Sequence, residues 1–139
     1  MSGLATKETN KSVSAFIESI DNDAKRNDSK VLIHLMSEIT GNEPKIWGDN
    51  FIIGFGKYNY KRKNGKEEFE WFNVGFAPRK SKITIYLTFD IEKEQKLMPK
   101  LGKFKYGRGC LYINKLADID IAILRLLISK SKDAKWNQF

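Results

Sequence analysis

The stretch that decides the fold is FIIGFGKYNYKRKNGKEEFEWFNVGFA, residues 51–77. Two runs rich in aromatic and β-branched residues flank Asn64-Gly65, the strongest short signal for a β-hairpin. Counted outward from that turn, opposite charges and aromatic rings meet across the two strands, which stabilises an antiparallel pair. The predicted pairs are Arg62–Glu67, Lys61–Glu68, Tyr60–Phe69, Tyr58–Trp71, Phe55–Val74 and Ile53–Phe76.

The segments that flank the hairpin predict helices and further strands. Apolar residues at helical spacing follow Ser12, a residue type that favours the N-cap, and a second helical stripe ends at Gly41. Strict alternation in SKITIYLTFD predicts a strand, while Asp118 and two late lysines favour a closing helix. The predicted elements are a first helix after Ser12, a second at 28–40, strands at 81–90 and 110–113, a short helix at 92–101 and a closing helix at 116–132.

Helices, then a run of antiparallel strands, then a helix are typical of the α+β class. We therefore predict an α+β fold with two N-terminal helices, an antiparallel sheet of about four to six strands, a short helix and a C-terminal helix. No linker or repeat interrupts the pattern. We expect a disordered N-terminal arm at 1–11, one domain at 12–132 and a tail at 133–139.

The hairpin register assigns side chains to the two faces of the sheet, because successive residues of a strand point to opposite sides. The aliphatic face is predicted to be the core: Ile53, Phe55, Val74, Phe76, Ile83, Ile85, Leu87, Leu111 and Ile113. The other face carries rings: Tyr58, Tyr60, Phe69, Trp71, Tyr86 and Tyr112. Such rings suit a binding surface for bases, a flat ligand or a partner. A cover formed by a loop, the N-terminal arm or a second subunit explains them equally.

Composition bounds the class of protein. The 139 residues include 41% hydrophobic and 30% charged residues, as in ordinary globular domains. No stretch approaches the ~20 apolar residues that cross a membrane, and the polar N-terminus lacks the apolar core of a signal peptide. With a single cysteine there is no internal disulfide framework, so we expect a cytoplasmic protein.

The net charge of +8 lies in the middle of the chain, where residues 46–115 carry fifteen Lys and Arg against seven Asp and Glu. Five of these cations stand in two turns: Arg79 and Lys80 before the third strand, and Lys103, Lys105 and Arg108 before the fourth. Neighbouring strands entered from the same end would bring them together. Arginine and lysine with glycine-rich backbone then suit an anion site. The alternative is a solvated basic turn.

No serine–histidine–acid pattern, zinc spacing or glycine-rich phosphate loop is present, so we predict a protein that is not an enzyme. A catalytic Cys110 needs its pKa lowered, for which Lys105 and Arg108 are the candidates, and a small packed residue is the alternative. His34 and Glu38 stand four residues apart on the second helix, where they can contact each other.

Five pieces in order resemble the YdhG-like family of domains of unknown function: MSEITGNEPKIWG, IIGFGKYNYK, VGFAPRKSKITIYL, LGKFKYGRGCLYI and LADIDIAIL. The resemblance covers about residues 12–130. It implies a small intracellular α+β fold similar to frataxin and, for one branch, iron binding and donation. The family's motifs fall on Trp47, Gly48, Arg79, Lys80, Gly102, Lys103, Lys105, Gly107, Cys110 and Tyr112.

Frataxin-type iron binding uses an acidic ridge, and the resemblance places the candidates at Glu18, Asp21, Asp23 and Asp28. Three basic residues interrupt this stretch, which departs from the family's pattern. Iron is thus the cofactor that the resemblance implies, with no metal ligands assigned.

Two hypotheses about function follow. The first is a binding protein for an anionic small molecule, an iron-bearing ligand or an acidic protein partner, using the basic turns and the aromatic face. Its candidate ligand-binding residues are Arg79, Lys80, Lys103, Lys105, Arg108, Tyr58, Trp71, Tyr86 and Tyr112. The alternative is a single-stranded nucleic-acid-binding module, in which rings stack on bases and lysines meet phosphates. The sequence leaves the oligomeric state open.

Overall fold

The structure, a computed structural model, describes residues 7–48, 51–61, 68–107 and 109–133. Its helices are α1 (Val13–Glu18), α2 (Asp23–Thr40) and α3 (Ile121–Asp133). Its strands are β1 (Lys45–Trp47), β2 (Ile52–Phe55), β3 (Tyr58–Lys61), β4 (Glu68–Trp71), β5 (Val74–Pro78), β6 (Ile83–Leu87), β7 (Lys105–Tyr106) and β8 (Cys110–Ile113). The chain therefore belongs to the α+β class, as predicted.

Six of these strands form one antiparallel sheet in the order β1-β2-β5-β6-β8-β7. Strands β3 and β4 continue the hairpin as a separate two-stranded ribbon. The register predicted from the turn is confirmed for five of the six pairs, from Ile53–Phe76 out to Lys61–Glu68. The turn at Asn64-Gly65 and the pair Arg62–Glu67 lie outside the described residues.

The two faces of the sheet also follow the prediction. Every residue predicted for the aliphatic face belongs to the main core cluster. Apolar residues of all three helices complete that core, among them Ile17, Leu32, Leu35, Met36, Leu124, Leu127 and Ile128. The helices therefore cover one face of the sheet, and the ring-bearing side is the outer face.

Helix α2 begins earlier than predicted. It starts at Asp23 rather than near residue 28, because the side chain of Asn22 accepts a hydrogen bond from the Lys25 N–H at 2.8 Å. This N-cap lies in a polar stretch of sequence. Because that stretch has no apolar stripe, the pattern did not predict a helix there. Val31, an apolar residue of this helix, is 49% exposed. Gly41 ends the helix with φ 72°, as predicted.

The C-terminal half differs in its short helical turns. The predicted short helix at 92–101 is two 3₁₀ turns, Ile91–Lys93 and Met98–Lys100. The predicted closing helix divides into a 3₁₀ turn, Leu116–Asp118, and α3. Asp120 rather than Asp118 caps α3, because its carboxylate accepts from the Ala122 N–H at 2.9 Å. No helix in the described ranges has the length and apolar character that crossing a membrane requires.

Part of the predicted disordered arm pairs with the sheet. The N–H of Thr9 donates to the Ile46 carbonyl at 2.9 Å, and the N–H of Gly48 donates to the Lys7 carbonyl at 2.8 Å. These bonds pair backbone groups on the outer edge of β1, the edge that faces no other strand among the described residues. Residues 7–9 therefore lie along the edge of the sheet, and the division into arm, domain and tail stays a prediction.

Candidate functional site

Basic side chains meet in a cleft at the β7 edge of the sheet. Two attachments position the segment that forms it: the Lys103 N–H donates to the Asp118 carbonyl at 2.9 Å, and Lys105 pairs with Tyr112 of β8. Gly102 permits the first attachment, because its φ is 125° and a Cβ there would lie 2.5 Å from the Asp118 carbonyl oxygen. The segment between these two attachments forms one wall of the cleft.

The cleft has a volume of about 190 Å³. Three lysines line it, Lys82, Lys103 and Lys105, together with Phe104, Tyr112, Ile113 and Asn114. No carboxylate belongs to this lining, and none of the three ammonium groups has an acidic partner in the part of the chain that the structure describes. The cleft is therefore a concentration of uncompensated positive charge.

Lys82 is the cation of the cleft that the sequence did not indicate, and Phe104 and Asn114 of the lining were not indicated either. A tight turn places Lys82 directly before β6. The Arg79 N–H closes this turn by donating to the Lys82 carbonyl at 2.7 Å. The Lys82 Nζ lies 5.9 Å from the centre of the Tyr112 ring. The signal that would have found it is the antiparallel pairing of β6 with β8, which puts the first residues of β6 beside the last residues of β8.

Arg79 and Lys80 are not among the residues that line the cleft. Their carbonyls accept hydrogen bonds from the Lys25 ammonium group of α2, at 2.8 Å for Lys80. The turn that holds them is thereby attached to the helical layer. The cleft thus joins Lys103 and Lys105 of one predicted basic turn with Lys82, and Arg79 and Lys80 of the other turn do not line it.

Arg108 lies outside the described residues. Gly109, the next residue along the chain, is described, and its contact with β6 locates it. The Gly109 carbonyl accepts from the N–H of Leu87, the last residue of β6, whereas Lys82 precedes the first. Gly109 therefore lies at the opposite end of β6 from the cleft. The predicted place of Arg108 in the anion site stays a prediction.

Phe72 packs over the outer face of the sheet and encloses part of it. A Cβ at Gly54 or Gly75 would lie within 3 Å of the Phe72 ring, so the absence of side chains there lets the ring lie flat on the sheet. Trp71 stacks on Phe72 with ring centres 4.2 Å apart, and Tyr86 and Trp47 meet Phe72 edge-on. These four rings form the aromatic cluster.

The members of the predicted aromatic surface differ in exposure. Tyr58 pairs with Trp71 and is 8% exposed, which excludes it as an open ligand-binding ring. Trp71 and Tyr86, two members of the aromatic cluster, are half-buried. Tyr112 is half-buried beside Tyr86. The side chains of Tyr60 and Phe69 lie outside what the structure describes. Only Tyr112 of this set belongs to the cleft.

The surroundings of Cys110 oppose a catalytic role. Burial raises the pKa of its thiol, and a hydrogen bond with Tyr112 offsets part of that rise. The pKa of Tyr112 is raised as well, first by the charge of an ionised Cys110 and then by burial. Among the described residues the net effect on the thiol pKa is thus a rise caused by burial. The predicted effect of Arg108 lies outside those residues. The Tyr112 hydroxyl forms a hydrogen bond with Cys110. The ring of Tyr112 is therefore the part that can contact a ligand in the cleft.

Three of the four carboxylates considered for iron already have partners. Glu18 lies 3.2 Å from the Lys30 ammonium, Asp23 pairs with Arg26, and Asp28 accepts from the Leu116 N–H at 3.1 Å. His34 contacts Glu38 at 3.6 Å, as predicted, on an exposed side of α2. Within the described ranges, no group of three or more His, Cys, Asp or Glu residues is placed to hold a metal ion.

The fold and the cleft define the class, an α+β protein whose six-stranded antiparallel sheet carries a lysine-lined cleft at one edge. Comparisons with protein-family models, with curated proteins and with solved structures gave no match. The resemblance to the YdhG-like family and to frataxin stays a prediction.

Proposed function

We propose that this chain is a binding protein, not an enzyme, and that it takes the anionic group of a small molecule or of an acidic protein partner into the lysine cleft. The observation that carries the proposal is that three ammonium groups line one cleft without an acidic partner among the described residues. Like charges held together repel each other, and a bound anion removes that repulsion. The ligand is thus expected to contribute the negative charge that the cleft lacks.

The contacts of the carboxylates considered for iron favour capture of an anion over binding of iron. Three of the four carboxylates considered for iron already interact with cations or with a backbone N–H. Iron would have to displace these contacts, whereas an anion in the cleft displaces none that the structure shows. An iron-bearing ligand remains consistent with the proposal only where its anionic groups make the contact.

A binding role is also favoured by the state of the candidate nucleophile. With its pKa raised, Cys110 carries little thiolate at neutral pH, and the thiolate is the reactive form. We expect Cys110 in the folded protein to react with a disulfide reagent more slowly than a free cysteine. The same chain unfolded in urea is the control, and a folded-state rate above the unfolded one would point to an activated thiol and an enzyme.

Single-stranded nucleic acid is the second candidate. The observation in its favour is that Tyr112, in the cleft, is a neighbour of Tyr86, and both rings are half-exposed on the outer face. A base stacked on an exposed ring contributes roughly 1–3 kcal/mol, and phosphates would meet the lysines. Such binding weakens steeply as salt rises, with a slope that counts the phosphates contacted.

Calorimetric titration separates these candidates. Inorganic phosphate is expected to bind the wild-type chain, and to bind the triple variant Lys82→Gln, Lys103→Gln and Lys105→Gln at least tenfold more weakly. A labelled oligonucleotide that binds far more tightly than phosphate, with a steep salt slope, would favour the second candidate. Phosphate binding that is equal in both proteins would contradict the assignment of the cleft.

A further inference from the structure

The size of the cleft restricts what can fill it. Its volume is about 190 Å³. Cavities that enclose drug-sized ligands are about 300–1,000 Å³, while a cavity of about 150 Å³ holds one benzene ring. The cleft therefore has room for one six-membered ring and a small substituent, and a nucleotide or a sugar chain would extend beyond it.

The apolar part of the lining presents rings. Phe104 is half-buried against the core, and Tyr112 is half-buried on β8. The Tyr112 hydroxyl is turned toward the other end of β8, where it bonds with Cys110 and lies 3.3 Å from the position of a Cβ on Gly107. The carbon face of Tyr112 is thus the part that the cleft offers. Two aromatic walls favour an aromatic occupant, since ring pairs are worth more than their buried area.

The polar part of the lining is cationic. Lys82, Lys103 and Lys105 supply three positive charges, and Asn114 adds an amide that donates hydrogen bonds. A phosphate monoester carries about −1.5 to −2 charges at pH 7 and three acceptor oxygens, whereas a carboxylate carries a single charge and two oxygens. Three lysines therefore match a phosphate better than a carboxylate.

We propose that the ligand of the cleft is an aryl phosphate, a single aromatic ring that carries a phosphate group. The ring would lie between Phe104 and Tyr112, and the phosphate would meet the three lysines. This inference rests on the proposed function, since it specifies the anion that the cleft captures. The same chemistry occurs in a free aryl phosphate and at the end of a phosphotyrosine side chain.

The test compares matched probes by calorimetry on the full chain. Phenyl phosphate carries ring and phosphate, glycerol 3-phosphate carries a phosphate ester without a ring, and benzoate carries a ring with a carboxylate. Phenyl phosphate is expected to bind about five- to tenfold more tightly than either of the other two. A short peptide with one phosphotyrosine forms a fourth arm. Tighter binding of the peptide than of phenyl phosphate identifies a phosphotyrosine source, and equal or weaker binding identifies a free aryl phosphate.

A variant pair links the ring preference to the cleft. Phe104→Leu keeps an apolar side chain and is expected to remove most of the preference for phenyl phosphate while leaving glycerol 3-phosphate binding within twofold. Phe51→Leu is the control, because it makes the same substitution at a residue that is 39% exposed and does not line the cleft. The wild-type comparison of probes needs no variant, so a folding defect in Phe104→Leu leaves the test intact.

Two failures are distinguishable. If glycerol 3-phosphate or benzoate binds as tightly as phenyl phosphate, the aryl phosphate inference is wrong while anion capture stands. If none of the phosphate probes, including inorganic phosphate, binds, then both the inference and the proposed function are wrong.

Discussion

Lys82 and Tyr112 meet at the boundary between the basic cleft and the outer face of the sheet. The ammonium nitrogen of Lys82 lies 5.9 Å from the centre of the Tyr112 ring, near the limit at which a cation is attracted to a ring face. The ring helps to hold the cation at the cleft without neutralising it. A carboxylate in the same position would have cancelled the charge on which anion capture depends.

Removing cleft charges one at a time is expected to weaken phosphate binding in steps. Lys103→Gln and Lys105→Gln should each reduce affinity about three- to tenfold, since a solvent-exposed charged contact is worth ~1 kcal/mol. Calorimetric titration with inorganic phosphate measures the effect. Lys132→Gln is the control, because it makes the same change of net charge in the last turn of α3. A loss of affinity as large in Lys132→Gln would show that only the overall charge matters.

Glu94 is expected to make stability depend on acid pH. Its side chain is 9% exposed and bonds to the Lys130 ammonium and to the N–H groups of Lys96 and Leu97, which holds its pKa below 4.5. Because the folded-state pKa is depressed, this contribution to stability is present above pH 4.5 and is lost as the pH falls through the folded-state pKa.

The variant Glu94→Gln tests that contribution. It should lower the free energy of unfolding by about 1–2 kcal/mol at pH 7, as expected for lost charge-assisted hydrogen bonds, and by much less at pH 3. Urea unfolding at the two pH values measures both. Glu92→Gln, at an exposed position of the same 3₁₀ turn, should change little at either pH. An equal cost of Glu94→Gln at both pH values would contradict the account.

Packing of Phe72 on the sheet predicts a specific pattern at two glycines. The three nearest atoms to a Cβ at Gly54 all belong to the Phe72 side chain, the closest at 2.7 Å, whereas the nearest atom to a Cβ at Gly75 is the Ile53 carbonyl oxygen at 2.7 Å. Gly54→Ala should therefore cost about 1–3 kcal/mol, as overpacking does, and much of that cost should disappear when Phe72 is replaced by Ala.

Gly75→Ala serves as the comparison. Its cost should persist in the Phe72→Ala background, because the Ile53 carbonyl belongs to the backbone. Urea unfolding of the single and double variants gives both coupling energies. Equal coupling of the two glycines to Phe72 would show that the ring does not lie over the sheet as described.

A buried hydroxyl network fastens α3 to the sheet. The Ser131 hydroxyl donates to the Asn73 carbonyl at 2.6 Å and accepts from the Thr88 N–H at 2.9 Å. Ser131→Ala leaves that N–H without a partner and should destabilise the fold by about 1–3 kcal/mol. Ser129→Ala, on the same helix but only half-buried, is the matched control. Similar midpoints of urea unfolding in the two variants would contradict a role for the network.

The sequence predicted those parts of the fold that depend on local pairing. Counting outward from Asn64-Gly65 predicted the register from Ile53–Phe76 to Lys61–Glu68, and that register predicted the aliphatic face. Strands β1 and β7 escaped prediction because three and two residues are too short for alternation to show. Phe72 was missed since it lies between strands, where no period assigns a face.

The cleft was only half predictable for a different reason. Lys103 and Lys105 stood out by their density in one loop, but which other cations join them depends on which strands are neighbours. The antiparallel pairing of β6 with β8 brings Lys82 to them. The density of charge in the sequence therefore predicted the wall that carries Lys103 and Lys105. The wall that carries Lys82 follows only from the topology of the sheet.

The most direct test of anion capture is a titration of the isotope-labelled chain with inorganic phosphate, followed by amide nuclear magnetic resonance. The account predicts saturable shifts at Lys82, Lys103, Phe104, Lys105 and Asn114, absent from the triple lysine variant. Shifts centred instead on Arg79 and Lys80, or no saturable shift at the cleft, would contradict it.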